Sequence, residues 1–343
     1  MRIAQIAPLW VPVPPITHGG TEYIVSLLTE ELIKRGHDVT LFASGDSHTS
    51  GKLVSTCPKA IWRDRTLEDP HACILHLIKK AVQSAHEFDI IHNHLGFYFA
   101  PFAQELETPV VHTLHRPIYP ETNRLYQETP NTHFVAISRD QAASAAPLTI
   151  EKIIYHGIRI DQYPFSANPK GYLLFLSKID EEKGIIEAIE AARIAKQKLI
   201  LAGNIVGKKG HEFFVRRVKP RLDGKNIEYA GQADFNKKIE LLSGADALLF
   251  PIRRREPFGI VMIEALMCGT PVIAFPKGSV PEIIEDGKTG FLARSTIHMA
   301  HLVKKIPEIN RNTCRKVAEE RFSLGRMVDE YEKLYRDILE RHP

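Results

Sequence analysis

Residues 253–269 read RRREPFGIVMIEALMCG, and the rest of the chain is organised around them. The apolar run Ala245 to Pro251 ahead of this stretch has the length of a buried strand. Behind it, Ile260, Ile263, Leu266 and Met267 recur at helical spacing, and Pro257 suits a first helical turn, where no amide is needed. The pattern therefore predicts a helix over 258–267, closed by Gly269, with a new strand after Pro271. Glu256 stands just before that helix and Glu264 about two turns inside it. A strand, a tight turn and a glycine at a helix start leave backbone amides facing outward, which suits an anion. A carboxylate at each end suits a ligand that carries hydroxyls beside a phosphate. The alternative is a capped amphipathic helix in an α/β core, with Glu256 favoured by the positive helix end.

The span Glu256 to Glu264, with seven residues between its carboxylates, resembles the two-glutamate motif of the retaining glycosyltransferases of family 4. Ala265, Gly269, Thr270, Pro271 and Val272 continue the likeness, as does Gly278-Ser-Val-Pro-Glu282. The resemblance is sharp from Leu173 to Leu292 and at His18-Gly19-Gly20. It implies the GT-B architecture: α/β, two doubly wound Rossmann-like domains facing each other across a cleft.

Composition agrees with two domains. The chain has 343 residues, too many for one average domain. Its hydrophobic content of 44% and charged content of 25% are those of a soluble globular protein. A net charge of +4 suits an anionic small molecule or an acidic membrane surface and does not call for nucleic acid. Cys57, Cys73, Cys268 and Cys314 are scattered, which favours free thiols in a reducing cytoplasm over disulfides. No apolar run reaches about 18 residues, so no spanning helix is expected. The first residues, interrupted by Pro12, Pro14 and Pro15, do not read as a signal peptide.

In chain order, Ile3 to Leu9 reads as a strand, and a proline-rich loop leads to His18-Gly19-Gly20. A helix from Thr21 to Gly36 and a strand over 38–43 follow. The unit has no GxGxxG, and a double glycine alone is a weak phosphate signal. Residues 67–87 read as largely helical. Short apolar strands are expected over 88–94, 109–115, 133–138 and 152–157, buried on both faces. Pro164 and Pro169 mark a boundary, giving domains 1–163 and 164–322. In the second, strands over 172–177, 198–202, 227–230, 247–251, 272–275 and 291–292 alternate with helices over 182–196, 210–218, 235–242 and 258–267. Ser279 and Glu282 have capping-box spacing. Residues 323–343 carry an amphipathic helix striped by Met327, Tyr331, Leu334, Tyr335 and Ile338, expected to cross back to the first domain.

Active groups of such sheets collect beyond the carboxyl ends of the strands. Lys178 and Lys183 fall there, before Gly184, and suit a diphosphate; the bland alternative is a solvated turn. The family carries an arginine where this chain has Lys178, so a planar fork is replaced by a point charge. His92, His94, His112 and His115 also fall at strand ends, and the HxH pair places two rings on one face, as metal sites do. No carboxylate cluster accompanies them, so no metal site and no cofactor is expected.

The resemblance implies the remaining roles. The first domain would bind a hydroxyl acceptor (a sugar, a lipid-linked sugar or a small molecule) and the second a nucleotide-sugar donor such as UDP-glucose. Glu256 and His115 would act on the transferred sugar. Gly19, Gly20, Lys178, Lys183, Phe258, Gly259, Ile260 and Glu264 would hold the donor, with Glu264 on its ribose and Phe258 and Gly259 acting through their amides. Transfer would be retaining and metal-independent, by front-face displacement, in polysaccharide, glycolipid or small-glycoside biosynthesis. The enzyme would be cytoplasmic, with peripheral membrane association open. Rival readings are a silent sugar-nucleotide sensor, a sugar-nucleotide epimerase, and a metal-dependent hydrolase centred on His92, His94, His112 and His115.

Overall fold

The structure is a computed structural model that describes residues 1–129 and 131–341, so the last two residues of the expected final segment lie outside it. The chain forms two compact units, Met1–Gly157 with Leu324–Pro343, and Ile158–Ser323. Residues 158–163, expected in the first unit, run with the second. The Ile158 amide donates to the Phe322 carbonyl at 2.9 Å, and the Tyr163 hydroxyl donates to Glu264 at 2.8 Å.

The first unit holds strands β1 (Arg2–Ile6), β2 (Asp38–Phe42), β3 (Lys52–Val54), β4 (Ile90–Asn93), β5 (Val110–Leu114), β6 (Thr132–Ala136) and β7 (Lys152–Ile153). Its helices are α1 (Gly20–Lys34), α2 (Pro70–Gln83), α3 (Ala100–Ala103), α4 (Pro120–Gln127) and α5 (Arg139–Ser144). The second unit holds β8 (Leu173–Leu176), β9 (Leu199–Ala202), β10 (Ile227–Tyr229), β11 (Ala247–Phe250), β12 (Val272–Ala274) and β13 (Gly290–Leu292). Its helices are α6 (Ile185–Ala195), α7 (Gly207–Phe213), α8 (Phe235–Gly244), α9 (Ile260–Met267), α10 (Val280–Ile283), α11 (Thr296–Val303) and α12 (Arg311–Phe322). The last helix, α13 (Leu324–Arg341), belongs to the first unit.

Both sheets are parallel throughout. Their orders are β3-β2-β1-β4-β5-β6-β7 and β10-β9-β8-β11-β12-β13. Each reverses direction once, between β1 and β4 and between β8 and β11, and ligand crevices of doubly wound sheets open at those points. Every residue of β4, β5 and β11 is buried, as strands covered on both faces require.

Several local expectations shift for identifiable reasons. Helix α2 starts at Pro70, because the Asp69 side chain accepts from the His71 amide at 2.9 Å and caps it there. Helix α9 starts at Ile260, leaving Pro257 outside it, because Gly259 at φ 82° breaks the helical path. Ser279 forms no capping box, since its hydroxyl donates to the Phe258 carbonyl at 2.8 Å. The helix expected over 210–218 begins at Gly207 and widens into a π turn over Phe214–Val218. Helix α9 is not amphipathic: Met262, Ile263, Glu264, Ala265, Leu266 and Met267 are all buried. Each large apolar side chain so buried contributes about 1.5–3 kcal/mol. An ionised Glu264 in that setting needs a partner.

Candidate active site

In the second unit, the loops after β8 and β11 meet. Asp180 accepts from the Glu182 amide at 3.0 Å and starts a single 3-10 turn, Glu181–Lys183. Gly184 ends that turn at φ 77°, and a Cβ there would lie 1.9 Å from the Pro251 carbonyl oxygen. Only glycine lets the two loops come this close. The contact sets Lys183 opposite Glu256, with Nζ donating to Oε2 at 2.6 Å and both side chains largely buried. Lys178, by contrast, pairs with Asp180 at 3.1 Å and leaves 45% of its side chain exposed. Arg253 and Arg254 lie at the surface and bind Glu181 and Glu182 at 3.3 and 2.7 Å, lacing the two loops together.

The backbone of Glu256 is held by the second part of the motif. It bridges to Gly278, and its carbonyl accepts from the Ser279 amide at 2.9 Å. Beyond Glu256 the buried Phe258 ring packs edge-on against Phe322, with centroids 6.1 Å apart. Its side chain is therefore core, and only its backbone faces the loop. Gly259 caps α9 without a side-chain bond and its carbonyl accepts from the Met262 amide at 2.9 Å, so the first-turn amides open to an anion are those of Ile260 and Val261. Two turns along, Glu264 is 4% exposed and its Oε1 accepts from the Tyr163 hydroxyl at 2.8 Å and from the Lys238 ammonium. Lys238 also sits over the Phe235 ring, 4.9 Å from its centroid.

Each motif glutamate thus faces a lysine from another element. Of the residues singled out by sequence, Lys183, Gly184, Glu256 and Gly259 come together, and Glu264 lies further along α9 with its own partners. Lys238 and Tyr163 were not anticipated. A Phe-x-x-Lys spacing on α8 hints at the first, whereas Tyr163 lies in a stretch without periodicity.

In the first unit, a cavity of about 350 Å³ opens beyond β1, β4 and β5. Its walls include Gly19, Glu22, Trp62, Tyr119, His115 and Arg116. Gly19, at φ 138°, precedes α1, whose third residue, Glu22, is 6% exposed. Burial pushes the Glu22 carboxyl up to about 7, against its own backbone amide and the charge of Arg116. His18 stacks on Trp62 at 5.6 Å, and Trp62 meets Trp10 at 6.0 Å, giving the mouth an aromatic side.

The histidines behind this cavity form a buried network. The His92 and His94 rings lie side by side, with centroids 3.9 Å apart. His92 meets the Tyr335 hydroxyl at 2.6 Å through Nδ1 and the Thr113 hydroxyl at 2.7 Å through Nε2. Thr113 in turn meets Tyr331 at 2.8 Å. His94 meets Gln5 Oε1 at 2.7 Å through Nε2 and His115 Nε2 at 2.9 Å through Nδ1. His112 Nδ1 meets the Asn93 amide at 3.1 Å. Burial holds all four rings below the usual imidazole range, with His112 and His115 at about 3. With both nitrogens of His92 and of His94 engaged, the geometry favours a hydrogen-bonding role over ligation. Among the described residues no group of three or more His, Cys, Asp or Glu is arranged to hold a metal ion. No helix among them is long and apolar enough to cross a membrane.

Residues 159–323 match the family described as glycosyl transferases group 1, and residues 18–162 match glycosyltransferase family 4. An N-acetyl-alpha-D-glucosaminyl L-malate synthase of Bacillus anthracis is 30% identical over 192 residues, 52% of this chain and 48% of that protein. The chain spans about half the length of the curated relatives that it matches at 30% identity. Among solved structures, sucrose-phosphate synthase from Thermosynechococcus elongatus superposes with a TM-score of 0.80 at 19% identity, covering 99% of this chain and 100% of that one. HepE of Anabaena in complex with UDP-glucose gives 0.76 at 19% identity over 98% and 100%. At these identities the structural likeness speaks for the GT-B fold.

Proposed function

The chain belongs to the group 1 glycosyltransferases of family 4, and we propose on that premise that it moves a sugar from a UDP-sugar to a hydroxyl acceptor with retention at the anomeric carbon. The observation that carries this reading is the pairing of both motif glutamates with lysines at the switch point of the second sheet. A diphosphate there meets Lys183, Lys178 and the first-turn amides of α9, which offset its charge without a divalent ion. Glu264, already accepting from a hydroxyl and an ammonium, accepts the ribose hydroxyls. Glu256 binds hydroxyls of the transferred sugar and faces the positive charge that grows at its anomeric carbon. The bond from that carbon to the diphosphate oxygen breaks as the acceptor oxygen bonds to the same face. The acceptor proton passes to the leaving phosphate oxygen.

In the first unit, the cavity binds the acceptor, Gly19 and Gly20 face the donor, and His115 contributes a hydrogen bond to the transferred sugar. A neighbour of the same fold, solved with UDP-glucose, supports a UDP-sugar as the donor. Buried free thiols at Cys57, Cys268 and Cys314 agree with a reducing cytoplasm.

The test is a thermal-shift screen of nucleotide sugars, followed by NMR of the product anomer with chelator present. A ligand at about 100 times its dissociation constant should add roughly 2.7 kcal/mol of stability. UDP-sugars should stabilise the protein, and the new linkage should keep the donor's configuration. An inverted product, or turnover lost to chelator and restored by a metal, sinks the mechanism. The absence of any sugar-nucleotide shift sinks the donor assignment.

A further inference from the structure

The polar groups behind the first unit's cavity can be followed proton by proton. Gln5 stands in the middle of β1, in an otherwise apolar run, and is fully buried. The strand pairing of β1 with β4 sets Gln5 beside His92, and the His94 amide donates to the Ile6 carbonyl at 2.9 Å. With the Gln5 amide turned so that its Oε1 meets the His94 Nε2 at 2.7 Å, that oxygen can only accept and the His94 Nε2 carries a proton. Uncharged His94 then has a lone pair at Nδ1. The His115 Nε2 atom, 2.9 Å away, must donate to it. Uncharged His115 in turn has its lone pair at Nδ1. No group among the described residues bonds to that atom, and His115 lies partly exposed on the cavity wall.

We propose that Gln5 and His94 are positioning residues that hold His115 as its Nε2–H tautomer, so that its Nδ1 faces the cavity as a hydrogen-bond acceptor. The group it takes is then a hydroxyl, which brings a proton, and not a carboxylate or phosphate oxygen, which brings a second lone pair. The burial that keeps both rings unprotonated near neutral pH is consistent with this order. The hydroxyl belongs either to the donor's sugar or to the acceptor. That last point rests on the glycosyltransferase reading, whereas the tautomer does not.

The experiment uses the full chain labelled with ¹⁵N at histidine, ligand-free at pH 7, with long-range proton–nitrogen correlation. The His115 signals are assigned by their loss in His115→Gln. The expected result is a single His115 species, protonated at Nε2 and bare at Nδ1. His94→Leu and Gln5→Leu should release it into a mixture of tautomers. His94→Asn, whose amide oxygen can occupy the place of Nδ1, should restore the single species. An Nδ1–H tautomer or a mixture in the unaltered protein overturns the proposal, and that measurement needs no variant to fold. So does a tautomer that ignores both leucine substitutions.

Steady-state kinetics then identify the hydroxyl. His94→Leu should raise one Michaelis constant by on the order of tenfold, the effect of one misplaced hydrogen bond, with His94→Asn near the parent value. A rise for the nucleotide sugar assigns the hydroxyl to the donor, and a rise for the other substrate assigns it to the acceptor. Equal values for both substrates in His94→Leu and the parent refute the positioning role. A correct tautomer in a protein that binds no nucleotide sugar would leave the relay standing and remove the proposed function instead.

Discussion

The second sheet repeats the order of the first sheet's first six strands, yet the groups that gather at the two switch points differ in chemistry. Beyond the ends of β8 and β11 stands one opposed pair, Lys183 with Glu256, and between α8 and α9 a second, Lys238 with Glu264. At the ends of β1, β4 and β5 stand imidazoles that burial keeps uncharged, hydroxyls, an amide and aromatic rings. Topology therefore fixes where a ligand is met and not what is met. A paired ammonium and carboxylate can re-partner with a diphosphate and with hydroxyls. An uncharged network has no charge to offer and selects by the direction of its hydrogen bonds.

Acid should separate the two units by the largest margin. His92, His94, His112, His115 and His156 of the first unit are all held below the ordinary value of 6.5, chiefly by burial, with neighbouring histidines, Arg116 and Arg326 adding to it. The folded unit binds fewer protons than the unfolded chain, so the stability from these rings is present above 6.5 and is lost as pH falls toward about 3. At pH 5, His112 and His115 alone should remove about 2 kcal/mol each, from about 1.5 pH units below the unfolded value. Glu22 works the other way. Its folded value near 7 exceeds 4.5, so its contribution is full below 4.5 and is lost as pH rises through 7. One carboxyl does not offset five imidazoles. Hydrogen exchange from pH 7 to 4 should show β4 and β5 losing protection before β8 and β11. The opposite order would mean that the network is not buried as described.

The contrast was only half legible in the sequence. Strands such as Ala247–Phe250 announce themselves as apolar runs, and Glu256 with Glu264 belongs to a pattern long enough to resist chance. Lys238 and Tyr163 reach Glu264 from 26 and 101 residues away, and no local periodicity carries such a contact. The start of α9 is not legible in the sequence, because Pro257 permits a helix whereas the backbone of Gly259, at φ 82°, breaks one. Gln5 did leave a signal: an amide in the middle of a buried strand has to be bonded to something.

Within the charged site, Lys183→Ala should have the greatest effect. In the proposed mechanism it removes a cation from the leaving diphosphate, and it strands the carboxylate of Glu256. Loss of one such stabilising group lowers kcat by about 10²–10³-fold. A fall in kcat/KM of that order, in a variant folded by circular dichroism, is the expected outcome. Parent-like kinetics would detach the charged pair from catalysis.

Glu264→Gln should act on binding more than on turnover. The amide keeps the shape of the side chain but gives Lys238 a neutral partner and, in the proposed mechanism, offers the ribose a weaker acceptor. Bonds to charged groups are worth roughly 1.5–3 kcal/mol, so nucleotide affinity should drop about tenfold or more. Calorimetry that shows unchanged affinity would reduce Glu264 to a buried anchor for Tyr163 and Lys238.

The smallest effect should come from Lys178, and it sharpens the comparison within the charged site itself. Lys178 bonds Asp180 with 45% of its side chain exposed, whereas the Lys183 side chain is 17% exposed against Glu256. Water screens an exposed ammonium, so its attraction for a diphosphate is weaker than that of a buried one. Both lysines have a carboxylate to leave before they can turn toward a ligand, so exposure is what separates them. Lys178→Ala should therefore raise the donor KM by only a few fold, on the order of 1 kcal/mol or less. Lys178→Arg supplies a planar fork able to hold two phosphate oxygens and should equal or exceed the parent. Steady-state kinetics on Lys183→Ala, Lys178→Ala and Lys178→Arg under one buffer decide the ranking. If Lys178→Ala loses more than Lys183→Ala, the diphosphate lies against the exposed lysine, and the buried Lys183–Glu256 pair is structural.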